Sequence, residues 1–132
     1  MTDLITSLRA SGVQPTPQRL AVARFVLATS AHPTADEVWE RARRECPTLS
    51  RATVYNTLNL FVKKGLLKPR VITEGVVVFD PHVGKHHHFV EEDTGRIHDI
   101  PWEAVRVSGE GSLLGFEVKE YQVVMRGRRK RA

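Results

Sequence analysis

Residues 78–100 read VFDPHVGKHHHFVEEDTGRIHDI, and they hold half of the six histidines of the chain in three consecutive positions. Carboxylates flank this run: Asp80 precedes it, and residues 91–93 and Asp99 follow it. The stretch begins at the end of one alternating apolar segment and continues into a second alternating segment. A proline and a glycine lie between the two. We therefore predict that one domain ends and another begins here, with a metal site at the junction.

The spacing of the histidines predicts which of them act together. Side chains alternate along a β-strand, so His86 and His88 point to one side and His87 to the other. Imidazole nitrogens ligate borderline cations, and carboxylate oxygens suit Fe(II) and Mn(II). A His/Asp mixture without thiolate favours Fe(II), Mn(II) or Zn(II) over Cu(I). The alternative is an ordinary polar surface strand.

Helix signals dominate the chain before this stretch. Thr16, the Thr34/Glu37 pair and Ser50 are typical caps at helix starts, and Gly12 and Gly65 are typical stops. Helices followed by a β-hairpin are typical of a winged helix-turn-helix domain. The predicted helices are Asp3–Ser11, Pro17–Thr29, Ala35–Cys46 and Arg51–Lys64, and the predicted hairpin strands are Leu67–Ile72 and Val76–Phe79.

The chain after this stretch predicts a smaller mixed unit. Two strands, His86–Glu91 and Arg96–Ile100, surround a turn, and a short helix, a loop and a strand over Phe116–Met125 follow. The fold class is α+β, with an N-terminal winged helix-turn-helix domain and a small α/β dimerisation domain. Their boundaries are 1–80, a hinge at 81–84, 85–125 and a basic tail at 126–132. Because such a short second domain buries little core, we expect a homodimer.

Charge is distributed unevenly over the 132 residues, although the total is only +5. Residues 1–73 carry eleven Lys/Arg against five Asp/Glu, residues 74–125 carry four against ten, and residues 126–132 carry five basic groups. The first part is therefore expected to attract polyanions and the second part cations. No apolar run approaches the ~20 residues needed to cross a bilayer. With no secretion signal at Met1, we expect a cytoplasmic protein without a membrane segment.

The fourth predicted helix is the candidate for reading double-stranded DNA. Arg51 and Tyr55 lie one turn apart at its start, the end that contacts base edges in winged helices. Arg19, near the start of the second helix, is a candidate phosphate contact. The alternative is a solvated polar face. The predicted DNA-binding residues are Arg19, Ser50, Arg51, Thr53, Tyr55 and Asn56.

Four segments of the chain resemble the ferric uptake regulator family of bacterial repressors: residues 16–20, 32–38, 50–58 and 86–99. The resemblance implies a winged-helix domain, an α/β dimerisation domain and a regulatory metal between them. It implies Fe(II) or Mn(II) as that metal, with Zn(II) as a further candidate, and an operator DNA as the partner. The ligands that it implies are His32, Asp80, His86, His88 and Asp99.

The last of these ligands separates branches of the family. Asp at this position, here Asp99, resembles the peroxide-sensing branch, whereas Glu resembles the iron-uptake regulators. In the peroxide branch, bound Fe(II) reacts with hydrogen peroxide and ligand histidines are oxidised; by position these are His32 and His86. The triple histidine and Cys46-Pro47 also resemble a haem-sensing branch, so an iron- or haem-responsive regulator is the alternative. A metalloenzyme is disfavoured, because the sequence offers no obvious general base or substrate pocket.

The chain also departs from the family. Many members hold a structural zinc with two Cys-x-x-Cys pairs, but this chain has one cysteine, so a four-cysteine zinc site is impossible. The four positions are occupied by Glu91, Thr94, Arg129 and Ala132. A second metal site near His87 lacks its usual partners, which are replaced by Arg106 and Tyr121, so we expect His87 not to be a regulatory ligand.

Overall fold

A computed structural model of the chain describes residues 3–109, 111 and 113–131. Contacts divide it into two compact units, Met1–Val83 and Gly84–Ala132. Helices fill the first unit and a three-stranded sheet organises the second. The predicted α+β class, with a winged-helix domain followed by a small mixed domain, is confirmed. No helix in the described part of the chain is long and apolar enough to span a bilayer.

The first unit contains four helices, whose starts are fixed by local side-chain caps. Thr16, Thr34 and Ser50 each accept a hydrogen bond from the backbone N–H three residues later, and Glu37 completes a capping box with Thr34. The predicted starts are thereby confirmed. The helices are α1 (Leu4–Ala10), α2 (Pro17–Val26), α3 (Ala35–Ala42) and α4 (Arg51–Lys63).

Two of these helices end earlier than the sequence predicts. α2 was expected to reach Thr29 and α3 to reach Cys46, but they end at Val26 and Ala42. After α3 the chain tightens into turns, with Glu45 N–H donating to the Ala42 carbonyl at 3.1 Å. Such three-residue hydrogen bonds replace the regular pattern where a helix ends. Apolar residues beyond the ends still pack on the core, which is why hydrophobic pattern alone overestimates helix length.

The helices enclose one apolar core. The inner face of α4 presents Val54, Leu58 and Phe61, all with no exposed surface, as predicted. Val22 and Val26 of α2 and Val38 of α3 pack against them. Full burial of such a side chain contributes roughly 1.5–3 kcal/mol, so α4 is held firmly in its orientation.

A β-hairpin completes the first unit. Strands β1 (Lys68–Thr73) and β2 (Val76–Asp80) pair antiparallel around a turn at Gly75, whose φ of 74° favours glycine. In β1 the side chains of Arg70 and Ile72 are buried, whereas Val71 between them is exposed. The hairpin therefore has one face towards the unit and one face towards solvent.

The second unit is a sheet with strand order β4-β3-β5. β3 (His86–Glu91) pairs antiparallel with β4 (Ile97–Pro101) and parallel with β5 (Val124–Gly127), and a 3₁₀ turn covers Trp102–Ala104. The prediction of a strand over Phe116–Met125 is wrong for residues 116–123, because the paired ladder with β3 covers residues 124–127. The predicted basic tail thus begins within a strand.

The described interior of the second unit is mostly polar. Val90 is the one apolar residue there with less than a tenth of its surface exposed. The other buried residues of β3 are charged or titratable: His86, His87, His88 and Glu91. Burial of such groups is unfavourable unless each has a partner, so these partners define the chemistry of the unit.

Candidate metal centre and nucleic-acid interface

His32 and Asp80 form the candidate ligand pair of the first unit. His32 has a φ of 54°, the one positive value among described residues other than glycine. The adjacent Pro33 carbonyl accepts a 2.9 Å hydrogen bond from Phe79 N–H, which ties the His-Pro segment to β2. His32 Nε2 then lies 3.6 Å from Asp80 Oδ2, and both residues are buried. A left-handed backbone costs about 1–3 kcal/mol and is common at functional sites.

Asp80 is held by a buried arginine that sequence reasoning missed. Arg70 Nε donates to Asp80 Oδ2 at 2.9 Å, and Arg70 Nη2 donates to the His82 carbonyl at 2.9 Å. His82 N–H donates to the other oxygen, Asp80 Oδ1, also at 2.9 Å. The available signal was the position of Arg70 in phase with Ile72, on the inward face of an alternating strand.

The second unit brings together the other three candidate ligands. His86 and His88 lie on the same side of β3, as the alternation predicts, with ring centroids 4.6 Å apart. Asp99 is paired with His88 across β3 and β4. Asp99 Oδ1 lies 3.4 Å from His86 Nε2 and 3.6 Å from His88 Nε2. One carboxylate oxygen thus faces the same ring nitrogen of both histidines.

The other ring nitrogens determine the tautomers of these histidines. His86 Nδ1 lies 2.9 Å from the Gly84 carbonyl and His88 Nδ1 lies 3.1 Å from Gln122 Oε1. Both partners are oxygens that accept hydrogen bonds, so each Nδ1 carries the proton. In a neutral ring Nε2 then presents a lone pair towards Asp99. Three lone-pair donors around one point fit a divalent cation, and the hydrogen-bonded Nδ1 is typical of metal-ligating histidine.

His87 has the opposite tautomer. Its Nδ1 accepts a 3.1 Å hydrogen bond from Val123 N–H, so in a neutral ring the proton lies on Nε2. The ring stacks on Trp102 with centroids 4.5 Å apart and planes 15° apart. His87 Nε2 is buried and has no hydrogen-bond partner among the described residues. A protonated nitrogen cannot ligate a metal, which supports the expectation that His87 is not a regulatory ligand.

Glu91 and Arg129, two of the positions that the family resemblance assigns to zinc cysteines, lie in direct contact. Arg129 Nε donates to Glu91 Oε1 at 2.5 Å, Thr94 Oγ1 donates to Oε2 at 3.0 Å, and His98 Nε2 lies 3.1 Å from Oε2. The hydrogen bond from His98, followed by those from Arg129 and Thr94, lowers the pKa of Glu91 to about 2. The fourth position, Ala132, lies outside the described residues.

The predicted DNA-binding residues all lie in the first unit, around the start of α4. Arg19, Thr53 and Asn56 line an open groove between α2 and α4. Arg19 Nη1 donates to the Gln14 carbonyl at 2.9 Å, which directs the guanidinium along the start of α2. Tyr55 is 45% exposed, so its phenol is accessible.

Two of these residues also have a structural role. Ser50 Oγ accepts from Thr53 N–H at 3.1 Å and donates to Thr53 Oγ1 at 2.9 Å, so both hydroxyls belong to the cap of α4. Arg51 lies over the Trp39 ring at 4.6 Å from its centroid and 4.0 Å from Asp36 Oδ1. The cap and the aromatic ring thus hold the α4 start and its first side chain in defined positions.

Comparison with known proteins places this chain in a family. Residues 10–126 match the Ferric uptake regulator family. The peroxide-responsive repressor PerR of Staphylococcus saprophyticus is 39% identical over 100 residues, 76% of this chain and 68% of that protein. The Campylobacter jejuni peroxide stress regulator has a TM-score of 0.64 at 26% identity, over 98% of both chains. The Pseudomonas aeruginosa ferric uptake regulator with manganese has a TM-score of 0.66 at 26% identity, over 95% of this chain and 96% of that one. The chain belongs to the ferric uptake regulator family.

Proposed function

We propose that this protein is a metal-dependent transcriptional repressor that releases its operator DNA when hydrogen peroxide oxidises its metal site. The observation that carries the proposal is the pair of Nε2 atoms, on His86 and His88, that face one oxygen of Asp99 while each Nδ1 lies against an oxygen acceptor. Family members are transcription regulators, so an enzymatic role is not proposed.

The proposed metal site combines the candidate ligands of both units. His32 and Asp80 would supply one nitrogen and one oxygen, and His86, His88 and Asp99 would supply two nitrogens and one oxygen. Five ligands of this mixed kind suit Fe(II), Mn(II) or Zn(II), and no thiolate takes part. Ligands from two units would couple metal occupancy to the orientation of the winged helix. In a dimer, that orientation sets the distance between two recognition helices.

The DNA-binding role rests on α4 and its surroundings. Arg51, Tyr55 and Asn56 are exposed at the N-terminal half of α4, and Arg19 lies beside it on α2. The net charge of +6 over residues 1–73 attracts phosphate. We assign Arg51 and Tyr55 to base edges or phosphate, Asn56 and Arg19 to the adjacent groove, and Ser50 and Thr53 to the start of the helix.

Peroxide is the proposed signal because Asp99 occupies the discriminating position and the curated relatives at 35–39% identity are named peroxide-responsive repressors. When bound, Fe(II) would supply one-electron activation of hydrogen peroxide, with no net change in its oxidation state. One imidazole, of His32 or of His86, would exchange a ring C–H bond for a C–O bond, so that one peroxide oxygen is taken up and the other leaves as water. An oxidised imidazole is a poorer ligand, so the site would lose its metal and the protein would lose its affinity for DNA.

The test compares the Fe(II)-loaded protein with the Mn(II)-loaded protein. Mn(II) prefers the same ligands as Fe(II) but does not activate peroxide. Operator DNA selected in vitro with the Mn(II)-loaded protein is titrated by fluorescence anisotropy before and after peroxide. We expect DNA release only for the Fe(II) form, together with the mass of one oxygen on His32 or His86. Binding that follows the Fe(II) concentration but ignores peroxide would instead identify an iron regulator, and release by haem alone would identify a haem sensor.

A second copy of the chain is the proposed partner in the repressor. In the second unit Leu113, Leu114 and Phe116 are 52%, 96% and 78% exposed. Contiguous exposed apolar side chains mark protein interfaces, and the unit has little apolar core of its own. We therefore assign residues 113–118 to the interface of a homodimer.

A further inference from the structure

Arg70 is an unusual residue for the inward face of a strand. It is 7% exposed and lies in phase with the buried Ile72 on β1. A buried guanidinium is unfavourable unless it is paired and its donors are satisfied. An apolar side chain at this position would be buried with a smaller desolvation penalty. We therefore looked for a function of the charge.

The partners of Arg70 connect it to a candidate metal ligand. Its Nε donates to Asp80 Oδ2 at 2.9 Å, the same oxygen that lies 3.6 Å from His32 Nε2. Its Nη2 donates to the His82 carbonyl, and His82 N–H returns a hydrogen bond to Asp80 Oδ1. Both oxygens of Asp80 are thus oriented within the first unit by groups that are not metal ligands.

We propose that Arg70 is a built-in positive charge that holds Asp80 in its ligand position without metal and lowers the affinity of the site for divalent cations. The proposal rests on the metal-binding function proposed above. A bound cation at Asp80 Oδ2 would share that carboxylate with the guanidinium, and like charges at such short range repel. Arg70 therefore keeps the Asp80 carboxylate in its ligand position, and its positive charge still balances that carboxylate after the metal has left.

The consequence is a site that exchanges its metal readily. Without Arg70, the buried Asp80 would lose its guanidinium counter-charge, so a bound cation would contribute more of the compensation and would be retained more tightly. With Arg70, the apo form has its own compensation and the metal contributes less binding free energy. A sensor needs an affinity close to the available metal concentration, and a nearby fixed charge is a direct way to set it.

Three substitutions separate the charge of Arg70 from its hydrogen bonds. Arg70→Gln keeps an N–H donor and removes the charge, Arg70→Lys keeps the charge and loses the planar fork, and Arg70→Met removes both. Mn(II) affinity of the full chain is measured by electron paramagnetic resonance of free Mn(II). We expect Arg70→Gln to bind Mn(II) about tenfold or more tightly, and Arg70→Lys to stay within about threefold of wild type.

The matched control is Arg24→Gln. Arg24 carries the same charge in the same unit but pairs with Glu45 at the surface, 2.6 Å away. It corrects for the general loss of one positive charge, and we expect little change in Mn(II) affinity. His86→Ala, which should abolish Mn(II) binding, identifies the measured site.

Thermal unfolding with and without Mn(II) provides the second readout. Apo Arg70→Gln and apo Arg70→Met should unfold at lower temperature than wild type, because Asp80 loses its buried positive counter-charge, and saturating Mn(II) should restore most of the difference. Mn(II) affinity in Arg70→Gln equal to or weaker than wild type, or stability that Mn(II) does not restore, would overturn the proposal and leave Arg70 as a purely structural residue. No Mn(II) binding by wild type would overturn the proposed metal function as well.

Discussion

At the scale of single residues, the chemistry of this protein depends on where protons lie in buried side chains. Three neighbouring histidines of β3 have two different tautomers, because His86 and His88 face oxygen acceptors and His87 faces a backbone N–H. From three identical residues in sequence, only the alternation of the strand predicts that His87 differs from His86 and His88. The backbone and Gln122 thus distinguish the two histidines that we propose as metal ligands from the third.

Glu91 provides a prediction at this scale. Its pKa is lowered to about 2 by His98, Arg129 and Thr94, below its ordinary value of 4.5. A carboxylate with a lowered pKa contributes stability that is complete above the ordinary pKa and is lost as the pH falls through the folded value. We expect wild type to lose stability between about pH 4.5 and pH 2 more steeply than Glu91→Gln, as measured by thermal unfolding against pH.

The control for this prediction is the neighbouring carboxylate. Glu92 is exposed, so Glu92→Gln should keep the wild-type profile. At neutral pH, Glu91→Gln should be less stable than Glu92→Gln, since it leaves Arg129 without its carboxylate partner. Parallel profiles for wild type and Glu91→Gln over the acid range would show that the contacts of Glu91 with His98, Arg129 and Thr94 do not stabilise the fold.

At the scale of elements, the start of α4 has a structural role and a proposed DNA-recognition role. Substitutions of Ser50 can test the two roles separately. Ser50 caps the helix, and Asp caps as well as Ser does, whereas Ala does not. We expect Ser50→Ala to lose about 1 kcal/mol of unfolding free energy in urea. Ser50→Asp should keep wild-type stability but lose DNA affinity tenfold or more, since its charge would face phosphate. Operator binding by Ser50→Asp at wild-type affinity would place the DNA elsewhere.

Elements also differ in how far the sequence alone determines them. The helix starts were predictable, because each cap is a local hydrogen bond between residues three positions apart. The absence of a strand over residues 116–123 was not predictable, because alternation produces a strand only where a neighbouring edge supplies a continuous ladder of hydrogen bonds. That His86 and His88 lie on the same side of a strand followed from alternation, whereas the proposed set of five ligands required the family resemblance. The role of Arg70 was not predicted, because no sequence pattern around it indicates that its side chain pairs with Asp80.

At the scale of the whole molecule, dimerisation is the prediction that links both units to DNA. Leu114 and Phe116 are the most exposed large apolar residues described, at 96% and 78%. Replacing both by Asp would bury two charges in the proposed interface, which is strongly unfavourable. We expect the double variant to sediment as a monomer and to lose most of its operator affinity, since two half-sites bind more tightly than one. Val71→Asp is the control, because Val71 is 57% exposed but lies on the hairpin of the first unit.

Further measurements on the double variant distinguish a loss of folding stability from a loss of dimerisation. The core of the first unit involves neither Leu114 nor Phe116, so helical circular dichroism should be unchanged in the double variant. Mn(II) affinity should also be retained, because all five proposed ligands lie in one chain. A double variant that still sediments as a dimer would assign the interface to another surface of the second unit. A wild-type protein that sediments as a monomer while bound to operator would contradict the dimeric repressor itself, and would leave each winged helix to recognise its half-site alone.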